Sequence, residues 1–101
     1  MDQQSVADAL DVLDDLIKWQ LTARRWERVA ELLDELGAAG RAGDDVRLRE
    51  VVGALELVSP IRATPIGTEP TTPVPPVVLE RRNERVDSLR GTGPEERRGG
   101  G

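Results

Sequence analysis

An all-α fold is predicted by two features of the sequence. Apolar residues recur at helical spacing through the first 58 residues, and no proline occurs before Pro60. Short polar or glycine-rich breaks divide this region into three helices, which we expect to pack as a small bundle of antiparallel helices. The predicted organisation is a three-helix core at 1–60, a proline-rich strap at 61–74, a C-terminal fourth helix at 75–90 and a disordered tail at 91–101.

The first helix is predicted at 5–19, with Ser5 as its N-cap. Its apolar residues fall three or four positions apart and form one stripe: Val6, Ala9, Leu10, Leu13, Ile17 and Leu21. Val12, Leu16 and Trp19 widen that stripe. A face of this breadth favours contact with more than one neighbouring helix.

The second helix is predicted to begin after a Thr22 cap. Its stripe comprises Trp26, Val29, Ala30, Leu33 and Leu36. Three glycines follow within seven residues, and glycine weakens a helix interior. Residues 37–43 are therefore expected to form a frayed end and a loop.

The third helix is predicted to start at Asp44 or Asp45, since either can serve as a cap. Val46, Leu48, Val51, Val52, Leu55 and Val58 continue the helical period. Ser59 and Pro60 end it, because the residue before a proline disfavours helical geometry.

A fourth helix is predicted after the strap, in which prolines recur too often for a regular helix. Ile61 and Ile66 of the strap are expected to pack against the bundle. Pro75 and Pro76 suit the first positions of the new helix, and Gly91 suits its end. Val78 or Leu79, followed by Val86 and Leu89, gives this helix a thin apolar seam.

The composition argues against catalysis. The chain has no cysteine, histidine, tyrosine or phenylalanine, which removes the histidine general base, the cysteine nucleophile, the Cys/His zinc site and the disulfide. Its net charge of −5 disfavours nucleic acid and anionic membranes as partners, and no apolar run is long enough to span a bilayer. We expect no enzyme activity, no cofactor and no metal. The start of the chain lacks the basic residues of a secretory signal, which favours a cytoplasmic location.

The aspartates of the first helix form the strongest charged feature. Asp8, Asp11 and Asp15 share a face by their spacing, and Asp14 lies three positions from Asp11. Paired carboxylates can bind Mg²⁺, but the spacing aligns no ligand from a second helix with them. A solvated acidic face is the favoured interpretation.

A lean core favours a protein partner or self-association as a homodimer, because small domains are only marginally stable alone. Trp19 and Trp26 are the only aromatic residues, and they flank the connection between the first and second helices. Both are expected to anchor the core there. The alternative is that one of them is an interface hot spot. Leu32 and Leu57 fall off the main stripes and are placed on the outer arc. The candidate interface residues are Trp19, Trp26, Leu32, Leu57, Val86 and Leu89.

Two stretches of the chain carry a family resemblance. They are 9–26, with Ala9, Leu10, Leu13, Trp19 and Trp26, and 53–67, which ends in LELVSPIRATPIG. Over about residues 5–90 the sequence resembles the CATRA-associated small proteins of actinobacteria, where CATRA stands for caspase and TPR-repeat associated. The resemblance implies a helical, non-catalytic accessory component of a bacterial conflict system. Such components are encoded beside larger proteins that carry CATRA domains, caspase-like peptidases or other effectors.

Two functions remain open at the level of sequence. In the first, the bundle is an interaction module that binds a larger CATRA-domain or caspase-like protein, and the fourth helix docks either in the free protein or only on binding. In the second, an antitoxin-like regulator masks a basic effector surface with the acidic face of the first helix. The second predicts salt-sensitive association, whereas the first predicts weak salt dependence.

Overall fold

Four helices make up the computed structural model, which describes residues 2–60 and 70–91. Their bounds are α1 (Gln3–Leu16), α2 (Ala23–Ala42), α3 (Asp45–Val58) and α4 (Pro76–Leu89). Within the described residues there is no strand beyond one isolated bridge. The predicted all-α class is therefore confirmed. No helix in this part of the chain combines the length and the apolar character needed to cross a membrane.

Side-chain caps fix where the first three helices begin. Asp2, Thr22 and Asp44 each accept a hydrogen bond from the backbone N–H three residues further on. Thr22 and Asp44 are the caps expected from the sequence. The expected Ser5 cap is wrong, because Asp2 caps α1 three residues earlier and Ser5 is buried inside the first turn of the helix.

The loop expected at 37–43 is also wrong, because α2 continues to Ala42. Gly43 ends the helix with a φ of 66°, in the left-handed region that glycine adopts without a steric penalty. Two glycines inside the helix cost about 1 kcal/mol each relative to alanine. Leu36 and Ala39, on the same turns, are buried in the core and offset that cost.

The helices are arranged as a ring in the order α1, α3, α2, α4. α1 and α2 follow each other in sequence, yet they lie on a diagonal, and each packs against both α3 and α4. The N–H of Asp2 donates to the Asp45 carboxylate at 3.2 Å, so α1 and α3 begin at the same end of the bundle. Glu35 of α2 and Arg47 of α3 form an ion pair at 2.7 Å.

The core receives side chains from all four helices. Its buried hydrophobic residues are Ala9, Val12, Leu13, Leu16, Trp19, Leu21, Trp26, Val29, Leu32, Leu33, Leu36, Ala39, Leu48, Val51, Val52, Leu55, Val78 and Val86. Leu32 is only 1% exposed, so its expected place on the outer arc is wrong. The reason is that α2 packs against α3 on one side and α4 on the other, which widens its buried face beyond one stripe.

The segment before α4 is extended and crosses the connection between α1 and α2. Leu21 and Thr72 exchange two backbone hydrogen bonds of 3.1 and 2.8 Å. Residues 61–69 and 92–101 lie outside the described residues. The expected packing of Ile61 and Ile66 and the expected disorder of the tail fall there.

Candidate partner-binding surfaces

Four large aliphatic side chains are exposed at one end of the bundle, where α1 and α3 end and α4 begins. We call this surface the apolar end; it consists of Ile17, Leu57, Val77 and Leu79. Leu57 is 64% exposed and Val77 is 52% exposed. Single exposed aliphatic residues are ordinary, but four at one end of a small bundle, on α1, α3 and α4, expose more apolar area there than isolated residues do.

The register between α1 and α4 brings two of these side chains to the same level. Arg82 Nε donates a 2.9 Å hydrogen bond to the Leu13 carbonyl oxygen. Ile17 lies one turn after Leu13, and Leu79 lies one turn before Arg82. Since the two helices run in opposite directions, Ile17 and Leu79 are level with each other across this pair of helices.

A groove opens toward the other end of the bundle, between α1, α2 and α4. Its volume is about 430 Å³. The residues that line it are Val6, Leu36, Gly37, Gly40, Arg41, Arg85, Ser88 and Leu89. We call it the Arg85 groove. It contains two arginines and three aliphatic side chains, and none of its lining residues is acidic.

Arg85 is the most buried charge in this groove. Its side chain is 16% exposed, and Nη2 pairs with Oε1 of Glu84 at 3.3 Å. Its Nε is buried without a hydrogen-bond partner in the described part of the chain. The guanidinium lies against Gly37, where a Cβ would overlap Nη1, so a glycine is needed at this position for the observed packing.

Part of the acidic face of α1 is already engaged within the bundle. Asp14 accepts a hydrogen bond from Arg82 Nη2 at 3.1 Å, and Asp8 accepts one from Gln4 at 2.9 Å. Asp11 and Asp15 are exposed. In the ranges that the structure describes, no cluster of acidic residues has the arrangement needed to hold a metal ion.

The six residues predicted as interface candidates are divided between the core and the surface. Trp19, Trp26, Leu32 and Val86 are buried, whereas Leu57 belongs to the apolar end and Leu89 lines the Arg85 groove. Contact with a partner stays a prediction for all six. The expected place of Ile17 in the buried stripe of the first helix is wrong, because Ile17 lies just after the last residue of α1 and is 39% exposed. The sequence reasoning also missed Arg85 as a feature of a groove. Gly37 and Gly40, three positions apart on α2, are the sequence feature that could have indicated the groove, but the sequence prediction places both in a loop.

A comparison with models of protein families gives a match to most of the chain. The model of a family described as CATRA-Associated Small Protein matches residues 8–93, a range that runs from within α1 to beyond the end of α4. Neither a curated protein nor a solved structure shows significant similarity to the chain.

Proposed function

We propose that this chain, which belongs to the CATRA-associated small protein family, is a non-catalytic component that binds a larger protein of the same system. The proposed partner is a CATRA-domain or caspase-like protein encoded nearby, and the proposed setting is bacterial conflict. The family's name supports association with a CATRA system. It does not by itself give the binding surface, which has to come from the geometry.

The observation that carries the proposal is the apolar end. Full burial of one large aliphatic side chain stabilises an assembly by roughly 1.5–3 kcal/mol, so partial burial of four supplies several kcal/mol. Ile17 and Leu79 are level on neighbouring helices, and Leu57 lies at the same end on α3. A protein surface with an apolar centre is the partner that such an arrangement fits.

The antitoxin-like alternative has less support from the structure. It requires the aspartates of α1 to be available to a basic effector surface, but Asp14 is bound by Arg82 and Asp8 by Gln4. Among the aspartates of α1, only Asp11 and Asp15 have exposed side chains that lack a hydrogen bond in the described part of the chain. Two exposed surface charges provide a weak basis for masking another protein, because exposed ion pairs contribute about 0–1 kcal/mol each.

The test is co-expression with the proposed CATRA-domain partner, followed by titration calorimetry of the purified pair. The double variant Leu57→Gln, Leu79→Gln should weaken binding at least about tenfold, because each change removes apolar contact area. The matched control is Val46→Gln, since Val46 is 60% exposed at the opposite end of α3 and should leave affinity unchanged.

Two outcomes would overturn the proposal. One is the absence of any complex with the co-expressed protein. The other is a complex that tolerates the double variant but loses affinity about tenfold or more when salt rises from about 0.1 to about 0.5 M, since exposed charges are screened at high ionic strength. That second result would favour the acidic face of α1.

A further inference from the structure

We propose that the Arg85 groove binds an acidic, leucine-bearing segment of a protein partner. A carboxylate of that segment pairs with Arg85 and Arg41, and an aliphatic side chain beside it packs on Val6, Leu36 and Leu89. This inference rests on the proposed function and deepens it, because it states the chemistry of one segment of the partner. The groove lies toward the end of the bundle opposite the apolar end, so the two surfaces can be tested separately.

The shape of the groove follows from the diagonal placement of α1 and α2. Because these two helices do not pack directly, α4 leaves a gap beside them near the start of α1. Gly37 and Gly40 keep the facing side of α2 free of side chains, and nothing lies within 4 Å of the position of a Gly40 Cβ. A volume of about 430 Å³ falls within the usual range for ligand clefts and accommodates a few side chains.

The charge of the groove selects the occupant. The whole chain carries −5, yet this groove contains two arginines and no acidic lining residue. Arg41 is exposed and has no ion pair in the described ranges. An acidic segment therefore meets a local positive potential, whereas a basic one would be repelled.

Arg85 gives the site a specific donor. Its one acidic partner within the described residues is Glu84, whose side chain is 67% exposed, and its Nε has no acceptor. A buried donor without an acceptor is destabilising, particularly in a charged group. A small turn of the guanidinium about its flexible stem brings Nε to the groove, where an incoming carboxylate accepts from it. Binding then supplies an acceptor that the bundle itself does not provide.

The aliphatic part of the site sets the second requirement. Val6 and Leu89 are half-buried, and Leu36 is buried beneath them. A purely polar acidic peptide would leave the accessible parts of Val6 and Leu89 exposed to water. An occupant that combines a carboxylate with a leucine covers both the apolar walls and the two guanidinium groups.

The experiment uses the isotope-labelled full chain and two short capped peptides of alanine, leucine and glutamate. The peptides are identical except that glutamine replaces glutamate in the second. We expect the glutamate peptide to shift the NMR signals of the Gly37 and Gly40 amides and of the Arg85 side chain, with an affinity about tenfold higher than that of its glutamine counterpart. Equal affinities, or shifts confined to other residues, would overturn the proposal.

A matched pair of glycine variants tests whether the peptide binds in the Arg85 groove. Gly40→Met fills the groove, whereas Gly53→Met makes the same change on α3, where the space around the Cβ is equally open. The first should abolish the shifts caused by the glutamate peptide, and the second should leave them unchanged. Retention of binding by Gly40→Met would place the peptide elsewhere and contradict the proposal.

Two other occupants are separate outcomes of the same experiments. If light scattering shows a dimer that Gly40→Met converts to a monomer, the groove is occupied by a second copy. If the full-length Glu95→Gln, Glu96→Gln variant shifts the Gly37 and Gly40 amides with no peptide present, the occupant is the chain's own tail. Either result overturns the assignment to a partner protein. The peptide titration needs no CATRA protein, so its failure is distinguishable from failure of the proposed function.

Discussion

The indole Nε1 of Trp26 donates a 2.9 Å hydrogen bond to the carbonyl oxygen of Thr72. The same carbonyl accepts from the Leu21 N–H at 3.1 Å, and the Thr72 N–H donates back to Leu21. These three bonds join the segment before α4 to the connection between α1 and α2. Because α4 begins at Pro76, they set the position at which the last helix enters the bundle.

Replacing Trp26 with phenylalanine should lower the free energy of unfolding by about 0.5–1.5 kcal/mol more than the same change at Trp19. Both tryptophans are buried, but only Trp26 has an indole hydrogen bond in the described part of the chain. The two variants lose a similar amount of buried apolar area. The difference between their free energies of unfolding therefore measures the hydrogen bond to Thr72. Urea unfolding of both proteins measures it. Equal destabilisation would show that the Thr72 contact contributes nothing.

Arg82→Met should destabilise the protein by about 1.5–3 kcal/mol. Arg82 Nε donates to the Leu13 carbonyl, one of the last four carbonyls of α1, and such groups need partners outside their own helix. The control is Arg81→Met, because Arg81 forms an exposed ion pair with Asp34 that should contribute no more than about 1 kcal/mol. Thermal unfolding of the two variants compares them. A larger loss for Arg81→Met would contradict the role given to Arg82.

Local signals were sufficient to predict the elements of this fold. Caps at Thr22 and Asp44 are side-chain properties that act over three residues, and the end of α3 at Ser59 follows from the proline that comes next. The paired prolines at the start of α4 acted in the same way. Each of these helix ends could be derived without knowing which helices pack against each other.

The arrangement of the helices depends on contacts that are remote in sequence, and this is where the sequence reasoning failed. Leu32 falls off the main stripe of α2, yet it is buried because α2 packs against both α3 and α4, which widens its buried face. Gly37 has low helix propensity, but its backbone supports the Arg85 guanidinium from another helix. Helix propensity describes a residue by itself, so it does not include a favourable contact between Gly37 and a residue 48 positions further along the chain.

The two inner glycines of α2 should respond differently to alanine. Gly40→Ala should stabilise the protein by about 1 kcal/mol, because the space around its Cβ is open and alanine is the better helix former. Gly37→Ala should stabilise the protein less than this or should destabilise it, because the new Cβ displaces the Arg85 guanidinium. Chemical denaturation of both variants gives the difference.

A double-mutant cycle assigns that difference to its cause. In an Arg85→Ala background, Gly37→Ala should stabilise as much as Gly40→Ala does, and the coupling between positions 37 and 85 should be about 0.5–3 kcal/mol. Additive effects would mean that the guanidinium is not packed on Gly37 in solution. The Arg85 groove would then have a different wall from the one described.

Hydrogen exchange should show α4 folded in the free protein. Val78 and Val86 are buried in the shared core, and Arg82 ties the helix to α1. Amides from the middle of α4 are therefore expected to have protection factors within about tenfold of those in α1. Exchange of α4 at the rate of an unstructured peptide, with α1 still protected, would instead favour docking only on partner binding.

Two leucines distinguish the core from the surface most directly. Leu32 is 1% exposed and Leu57 is 64% exposed, although the sequence assigned both to the outer arc. Leu32→Ala should cost about 2–5 kcal/mol, because it removes buried methyl groups and leaves a cavity, whereas Leu57→Ala should change stability by less than about 0.5 kcal/mol. Equilibrium unfolding measures both. If instead Leu57→Ala strongly destabilises the isolated chain, Leu57 contributes to the fold, and its exposed surface is no longer free to meet a partner.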